Sequence, residues 1–140
     1  MSDHPNRPLI GVGVVVFKGD RVLLVRRGKP PRVGQWSLPG GRQRLGETVR
    51  ATAAREVAEE AGLTVEVTAL LDVVDSMTRD ADGALAYHYT LVDFLAEWRT
   101  GEAKAGGDAA EVVWADPDDL APYDLWDETL RIIALARQAR

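Results

Sequence analysis

Cysteine is absent from this chain of 140 residues, and histidine occurs only twice. Without cysteine the chain can form no disulfide, no thiolate nucleophile and no cysteine-based zinc site. The two histidines, His4 near the start and His88 in a strand-like run, are too few for a histidine-rich metal site. Any metal that this chain binds is therefore expected to be held by oxygen ligands.

The sequence also lacks long apolar runs and an excess of positive charge. No apolar stretch approaches the length of a membrane span, and the first eight residues, MSDHPNRP, do not have the basic and then apolar segments of a signal peptide. The formal net charge of -5 argues against binding a long nucleic acid through many phosphate contacts. We therefore expect a cytoplasmic protein that binds neither a membrane nor a nucleic-acid polymer, while a short anionic substrate remains compatible with the charge.

The order of apolar and turn-forming segments predicts one layered domain. Two strands rich in β-branched residues, 9–17 and 21–26, are joined by a tight turn, and a loop with prolines and glycines follows at 28–36. The remaining predicted segments are a helix at 48–61, strands at 64–75, 85–98 and 111–114, a turn at 78–83, a loop at 100–110, a helix-start signal at 116–120 and a last helix at 125–136. We expect an N-terminal tail at 1–8 and a single α/β or α+β domain at 9–140.

Three glutamates of the first predicted helix lie at positions that face the same side. Glu56, Glu59 and Glu60 have the spacing i, i+3 and i+4, which brings their side chains together on the helix surface. Taken alone, such a cluster is more often a solvated face than a metal site. A hard divalent cation with oxygen ligands is the more specific interpretation. The apolar residues of the helix are expected on the opposite face, against the sheet: Ala54, Val57, Ala58 and Ala61.

These glutamates belong to a longer pattern. It comprises Gly41, Glu47, Arg55-Glu56-Val57, Glu59-Glu60 and Gly62-Leu63. This pattern resembles the Nudix box at every specified position, and the resemblance extends upstream through the run from Trp36 to Gly41. The family resemblance implies an α/β/α sandwich around a mixed β-sheet, in which the box forms a loop, a helix and a loop.

The resemblance also implies an enzyme that hydrolyses a nucleoside diphosphate linked to another group, with Mg²⁺ or Mn²⁺ as cofactor. The residues around the box resemble those of a group of small bacterial proteins that are ADP-ribose pyrophosphatase-like. A MutT-type enzyme that removes pyrophosphate from a nucleoside triphosphate is the alternative, and a non-catalytic nucleotide-sensing module is a further one. The expected partner is a small nucleotide, and a homodimer is left open.

Site residues are carried over from the family residue by residue. Glu56 and Glu60 are implied as metal ligands, and Glu59 as a ligand or as a partner for water. The Gly40 carbonyl is implied as an extra ligand. Arg55 is expected to orient the carboxylates, and we interpret Glu47 as a structural partner beside them.

The sequence leaves open the roles of five residues outside the box: Asp108, Glu111, Arg26, Arg27 and Trp36. Asp108 is preferred slightly over Glu111 as the base outside the box, and a box glutamate is the third candidate. Arg26 and Arg27 could bind substrate phosphate or simply close a strand edge. Trp36 could stack on a nucleobase or pack in the core.

Overall fold

The computed structural model describes residues 5–30 and 32–140, so His4, Pro31 and half of the predicted tail lie outside the described residues. No helix in these ranges is long and apolar enough to cross a membrane. The first two strands were predicted nearly to the residue. The elements in chain order are β1 (Leu9–Lys18), β2 (Arg21–Arg27), β3 (Trp36–Ser37), β4 (Gly40–Arg42), α1 (Val49–Ala61), β5 (Thr64–Arg79), β6 (Leu85–Thr100), β7 (Ala109–Ala115), a 3-10 turn (Ala121–Tyr123) and α2 (Asp127–Ala139).

The strands form one mixed sheet with β1 at its centre. The path through the sheet runs β3-β2-β1-β6-β5, while β4 pairs with β1 and β7 pairs with β2. Strand β1 is parallel to β6 and antiparallel to β2 and β4. Its residues 14–17 are buried, as expected for an apolar run that is covered on both faces.

Each face of the sheet has its own hydrophobic core, and each core is covered by one helix. Val14, Val16 and Phe94 pack with α1 residues such as Val57 on one face. Val15, Phe17 and Leu95 pack with Ile132 and Ile133 of α2 on the other. This arrangement confirms the predicted α/β/α sandwich. We call the two sides the α1 face and the α2 face.

The hairpin made by β5 and β6 is longer than predicted. The two strands stay paired from Thr64 with Thr100 to Arg79 with Leu85, so the predicted turn at 78–83 is shifted toward 80–84. Backbone N–H groups of Asp80 and Gly83 close this turn at 2.8 and 3.0 Å. Several register shifts interrupt this pairing, so apolar and polar residues do not alternate strictly along the two strands.

The segment 116–120 does not begin a helix. Asp116 instead closes a local turn, because its side chain and carbonyl accept hydrogen bonds from the N–H groups of Asp118 and Asp119. An aspartate that caps a turn has the same sequence signature as one that caps a helix. The last helix, α2, therefore starts later than predicted, at Asp127.

The predicted buried face of α1 is correct for Val57 and Ala61, which are buried, and wrong for its other two residues. Ala54 and Ala58 are exposed. The buried row follows positions 53, 57 and 61, and position 52 is buried as well. Glu56 and Glu60 continue the row that starts at 52, so they lie directly beside the core. This position explains why both are shielded from water, as a metal site in a cleft requires.

Candidate active site

Helix α1 begins and ends where the sequence supplies the appropriate capping residues. Thr48 precedes it, and its side chain accepts a hydrogen bond from the Ala51 N–H at 3.1 Å. Gly62 follows it in the left-handed conformation with φ of 71° and donates to the Ala58 carbonyl. A side chain at this φ would be strained. The two caps fix where the helix begins and ends, and therefore where its glutamates lie.

Glu56 and Glu60 share a cleft between α1 and β4. Their carboxyl groups lie close enough to interact, and the Gly40 N–H donates to Glu60 Oε1 at 3.2 Å. Burial, followed by the neighbouring Glu56, raises the pKa of Glu60 to about 8. The Arg55 guanidinium offsets the charge of Glu56, and burial beside that carboxylate favours the protonated form of Glu60. The pair therefore holds a proton near neutral pH in the metal-free protein, at a position where a cation could replace it.

The backbone of β4 approaches the glutamates closely because its first two residues, Gly40 and Gly41, have no side chains. A Cβ atom on Gly41 would lie 2.5–2.6 Å from the Glu56 carboxylate, and a Cβ atom on Gly40 would lie 2.0 Å from the Val12 carbonyl oxygen. Neither position can hold a side chain without displacing one wall of the cleft. Glycine therefore allows the close approach of the two backbones at these positions.

Arg55 lies between three carboxylates. Its Nε and Nη2 donate to the two oxygens of Glu47 at 2.7 and 2.9 Å, and its Nη1 donates to Glu56 at 2.6 Å and to Glu59 at 3.3 Å. Nη2 also donates to the Arg42 carbonyl at 3.0 Å. This planar fork ties the loop before α1 to the glutamates on α1.

Glu47 is held by a buried residue that the sequence did not suggest. The Thr52 hydroxyl donates to Glu47 Oε1 at 2.7 Å, and Thr52 is fully buried. The hydrogen bond from Arg55, helped by that from Thr52, lowers the pKa of Glu47 to about 2. The signal was available, because Thr52 lies four residues before Glu56 in the same helical row.

Glu59 lies apart from the other two glutamates. Its side chain is 45% exposed and contacts the guanidinium groups of Arg44 and Arg55. Across residues 5–30 and 32–140, no three His, Cys, Asp or Glu side chains are gathered into a preformed metal site. The oxygen donors Glu56 and Glu60 still fit a hard cation, since they are in contact, protected from water and of the preferred ligand type.

The two candidates for the outer base lie in different surroundings. Asp108 is close enough to Glu60 for its charge to contribute to the raised pKa of Glu60, and Lys29 Nζ lies 3.2 Å from Asp108 Oδ1. Glu111 is paired across the strands with Arg26, whose Nε donates to it at 3.1 Å. Strand alternation puts this second pair on the α2 face, away from the glutamates.

Arg27 and Trp36 are also separated by the fold. Arg27 Nη2 donates to the Pro30 carbonyl at 3.2 Å, while its Nε is buried without a hydrogen-bond partner. Trp36 packs against the core of the α2 face, where its ring meets Tyr123 edge-on with 5.2 Å between centroids. The Nε of Arg27 is therefore a donor that a ligand could satisfy, whereas Trp36 is packed against the core.

Known proteins resemble the chain over most of its length. It is 37% identical over 113 residues to an ADP-ribose pyrophosphatase of Methanocaldococcus jannaschii, which covers 81% of this chain and 64% of that protein. It is 36% identical over 109 residues to a MutT-like protein of Streptomyces ambofaciens, which covers 78% and 64%. The chain thus spans slightly less than two thirds of the length of each relative.

A solved structure and a family model agree with these relatives. The fold matches a MutT NUDIX hydrolase from Burkholderia pseudomallei with a TM-score of 0.79 and 31% identity, over 93% of this chain and 98% of that one. A model of the NUDIX domain matches residues 7–136. With the box geometry above, this match confirms the resemblance read from the sequence: the chain belongs to the Nudix family.

Proposed function

We propose that this protein is a divalent-metal-dependent hydrolase of the phosphoanhydride bond in a nucleoside diphosphate linked to another group, with an ADP-ribose-like substrate. The observation that carries the proposal is the contact between Glu56 and Glu60 in the cleft behind Gly40. A bound cation would neutralise this buried pair of carboxylates in place of the proton that the pair retains. The same cation would neutralise charge on a diphosphate substrate, whose negative charge repels a nucleophile.

Each residue of the cleft has a proposed task. Glu56 and Glu60 hold the cation, with the Gly40 carbonyl as an additional oxygen donor and Glu59 as a ligand or a water-binding partner. Mg²⁺ or Mn²⁺ bound there would supply positive charge to the phosphate oxygens and would make water more acidic. The cation would also have to displace the proton that the pair holds.

Positioning and proton transfer fall to residues around the pair. Arg55 keeps Glu56 and Glu59 in place through the fork that it forms with Glu47. Asp108 accepts the proton of the attacking water, since it is on the side of Glu60 while Glu111 and its partner Arg26 lie on the α2 face. Arg27 turns its unsatisfied Nε toward a phosphate oxygen of the substrate.

A second candidate function is supported by the MutT names among the similar proteins. The solved hydrolase from Burkholderia pseudomallei and the Streptomyces ambofaciens relative both carry that name. The two reactions differ in their products. Addition of water to ADP-ribose gives AMP and ribose 5-phosphate, whereas addition of water to a nucleoside triphosphate gives a nucleoside monophosphate and pyrophosphate.

A panel of nucleotides with Mg²⁺ or Mn²⁺, and mass identification of the products, tests the proposal. We expect AMP and ribose 5-phosphate from ADP-ribose, and we expect Glu56→Gln and Glu60→Gln each to lower kcat by at least about a hundredfold. Glu66→Gln is the matched control, because Glu66 is exposed on β5 and paired with Arg99. It should keep wild-type kcat.

The other outcomes of the panel are equally informative. Nucleoside monophosphate and pyrophosphate as the only products would assign the MutT-type reaction. Nucleotide binding without any product would support the sensing module instead. Full activity of Glu60→Gln would remove this residue from the metal site.

A further inference from the structure

Two loops and the end of α1 meet at Asp108. The Gly28 N–H donates to the Asp108 carbonyl at 2.8 Å, and the Gly106 N–H donates to the Glu60 carbonyl at 3.0 Å. A Cβ atom on Gly106 would lie 2.6 Å from the Glu59 carbonyl oxygen, so this loop rests directly on the helix. The backbone that carries Asp108 is thus fixed relative to the glutamates.

Lys29 is the cation that faces this junction. Its Nζ lies 3.2 Å from Asp108 Oδ1, and the two side chains are 66% and 57% exposed. Ion pairs with this exposure contribute about 0–1 kcal/mol, since water competes for both charges. Little free energy is therefore lost when Lys29 leaves Asp108 and binds another anion.

Two arginines near the glutamates, Arg44 and Arg55, are already engaged by carboxylates. Arg55 bonds three carboxylates of the box, and Arg44 contacts Glu59. A diphosphate brings more negative charge to a cleft that is already acidic. A lysine with one weak and exposed partner is well suited to meet that charge.

We propose that Lys29 is a phosphate-binding residue that selects substrates with two linked phosphates. When substrate enters, the Lys29 ammonium group leaves Asp108 for a phosphate oxygen, and the Asp108 carboxylate is then free to accept a proton from water. The proposal rests on the proposed function of the cleft. It adds a specificity residue from a loop outside the box.

Equilibrium binding of ADP and AMP tests this role without any turnover. Titration calorimetry in the presence of Ca²⁺, a hard cation with oxygen ligands, measures both affinities for the full chain. Lys29→Gln should weaken ADP binding about tenfold and AMP binding by no more than about twofold, because a charged hydrogen bond to the second phosphate is lost. Lys29→Arg should remain within about threefold of wild type for ADP. Lys104→Gln, with the same charge change on the neighbouring loop, should leave both affinities unchanged.

A second comparison separates phosphate binding from mere restraint of Asp108. In the Asp108→Asn background, Lys29→Gln should still weaken ADP binding about tenfold. The assignment is overturned if that loss disappears there, if ADP and AMP weaken equally, or if wild type does not bind ADP. Failure of the nucleotide panel to give products, with the ADP and AMP difference intact, would refute the hydrolase and leave the Lys29 assignment standing.

Discussion

At the level of single residues, Arg55 orients three carboxylates with a planar group that a lysine does not have. Its guanidinium spans Glu47, Glu56 and Glu59 at distances of 2.6–3.3 Å. A lysine carries the same charge on one nitrogen and cannot donate along two parallel directions to Glu47. The orientation of Glu56 therefore depends on the planar fork as well as on charge.

Replacement of Arg55 by lysine tests this dependence. Arg55→Lys should lower kcat by about 10–100-fold, which is the usual cost of losing a partner that orients a metal ligand. Steady-state kinetics with saturating metal gives this value. Arg137→Lys on α2, where Arg137 pairs with Asp118, is the matched control and should be silent. Unchanged kcat in Arg55→Lys would show that charge alone suffices.

Some residues of the site could be predicted from sequence and others could not. Glu56, Glu60 and Arg55 lie within one helix, where spacing alone determines which side chains meet. Lys29 and Asp108 are far apart in sequence and meet only because β2 pairs with β7. That contact depends on the sheet topology, so no local pattern encodes it.

At the scale of elements, the site depends on how closely β4 approaches α1. The strand runs beside β1 and touches the helix through its two glycines. A side chain at position 41 would displace the Glu56 carboxylate, and one at position 40 would meet the backbone of β1.

Gly41→Ala tests the close approach. The added Cβ would meet the Glu56 carboxylate at 2.5–2.6 Å, so Glu56 must move. We expect Mn²⁺ affinity to fall about tenfold or more, measured by calorimetric titration, while the circular dichroism spectrum keeps its shape. The turn variant Gly83→Ala, in open space at φ of 81°, should lose some stability and retain metal affinity. Equal Mn²⁺ affinity in Gly41→Ala and wild type would contradict this packing.

Element ends were less predictable than element types. Asp116 closes a turn in place of a helix, and β5 and β6 run beyond their apolar segments because each supplies hydrogen bonds to the other. The exposed residues Ala54 and Ala58 have the same side chain as the buried Ala53 and Ala61. Alanine alone gives no direction to a helix, so the tertiary packing decided which face is buried.

On the scale of the whole molecule, the two faces of the sheet hold different buried carboxylates. The α1 face holds Glu56 and Glu60, and the α2 face holds Asp93 of β6, which is 6% exposed. Burial, reinforced by the charge of Asp72 and opposed by Arg131, raises the pKa of Asp93 to about 6. In the folded protein Asp93 thus binds a proton more tightly than in the unfolded chain.

This shift predicts a pH-dependent effect of Asp93→Asn. Between about pH 4 and 6 the folded state holds the extra proton, so the contribution of Asp93 to stability falls as pH rises through this window. The Tm of the variant relative to that of wild type should therefore rise across that window. At pH 7 the Tm of the variant should be about 5 °C higher than that of wild type. Thermal melts from pH 4 to 7 measure the difference. Asp75→Asn, at an exposed position of β5, should show no such trend. A constant difference for Asp93→Asn would contradict the shift.

The family and the layered fold could be predicted from a small part of the chain. The box and the run before it, residues 36–63, already specify a loop, a helix and a loop with an acidic cleft. Substrate selection could not be predicted in this way. We expect it to depend on loop residues such as 28–30, 32–35 and 101–108, whose contacts arise only after the sheet has formed.

The exchange of a proton for a cation at Glu56 and Glu60 is the most direct test of the metal site. Mn²⁺ is titrated at pH 7 into the metal-free protein, in two buffers with different ionisation enthalpies. Since burial and Glu56 raise the pKa of Glu60 to about 8, wild type should release about one proton per bound cation. Glu60→Gln should bind Mn²⁺ weakly and release none. Tight binding without proton release, or equal binding by Glu60→Gln, would contradict a cation held by this pair.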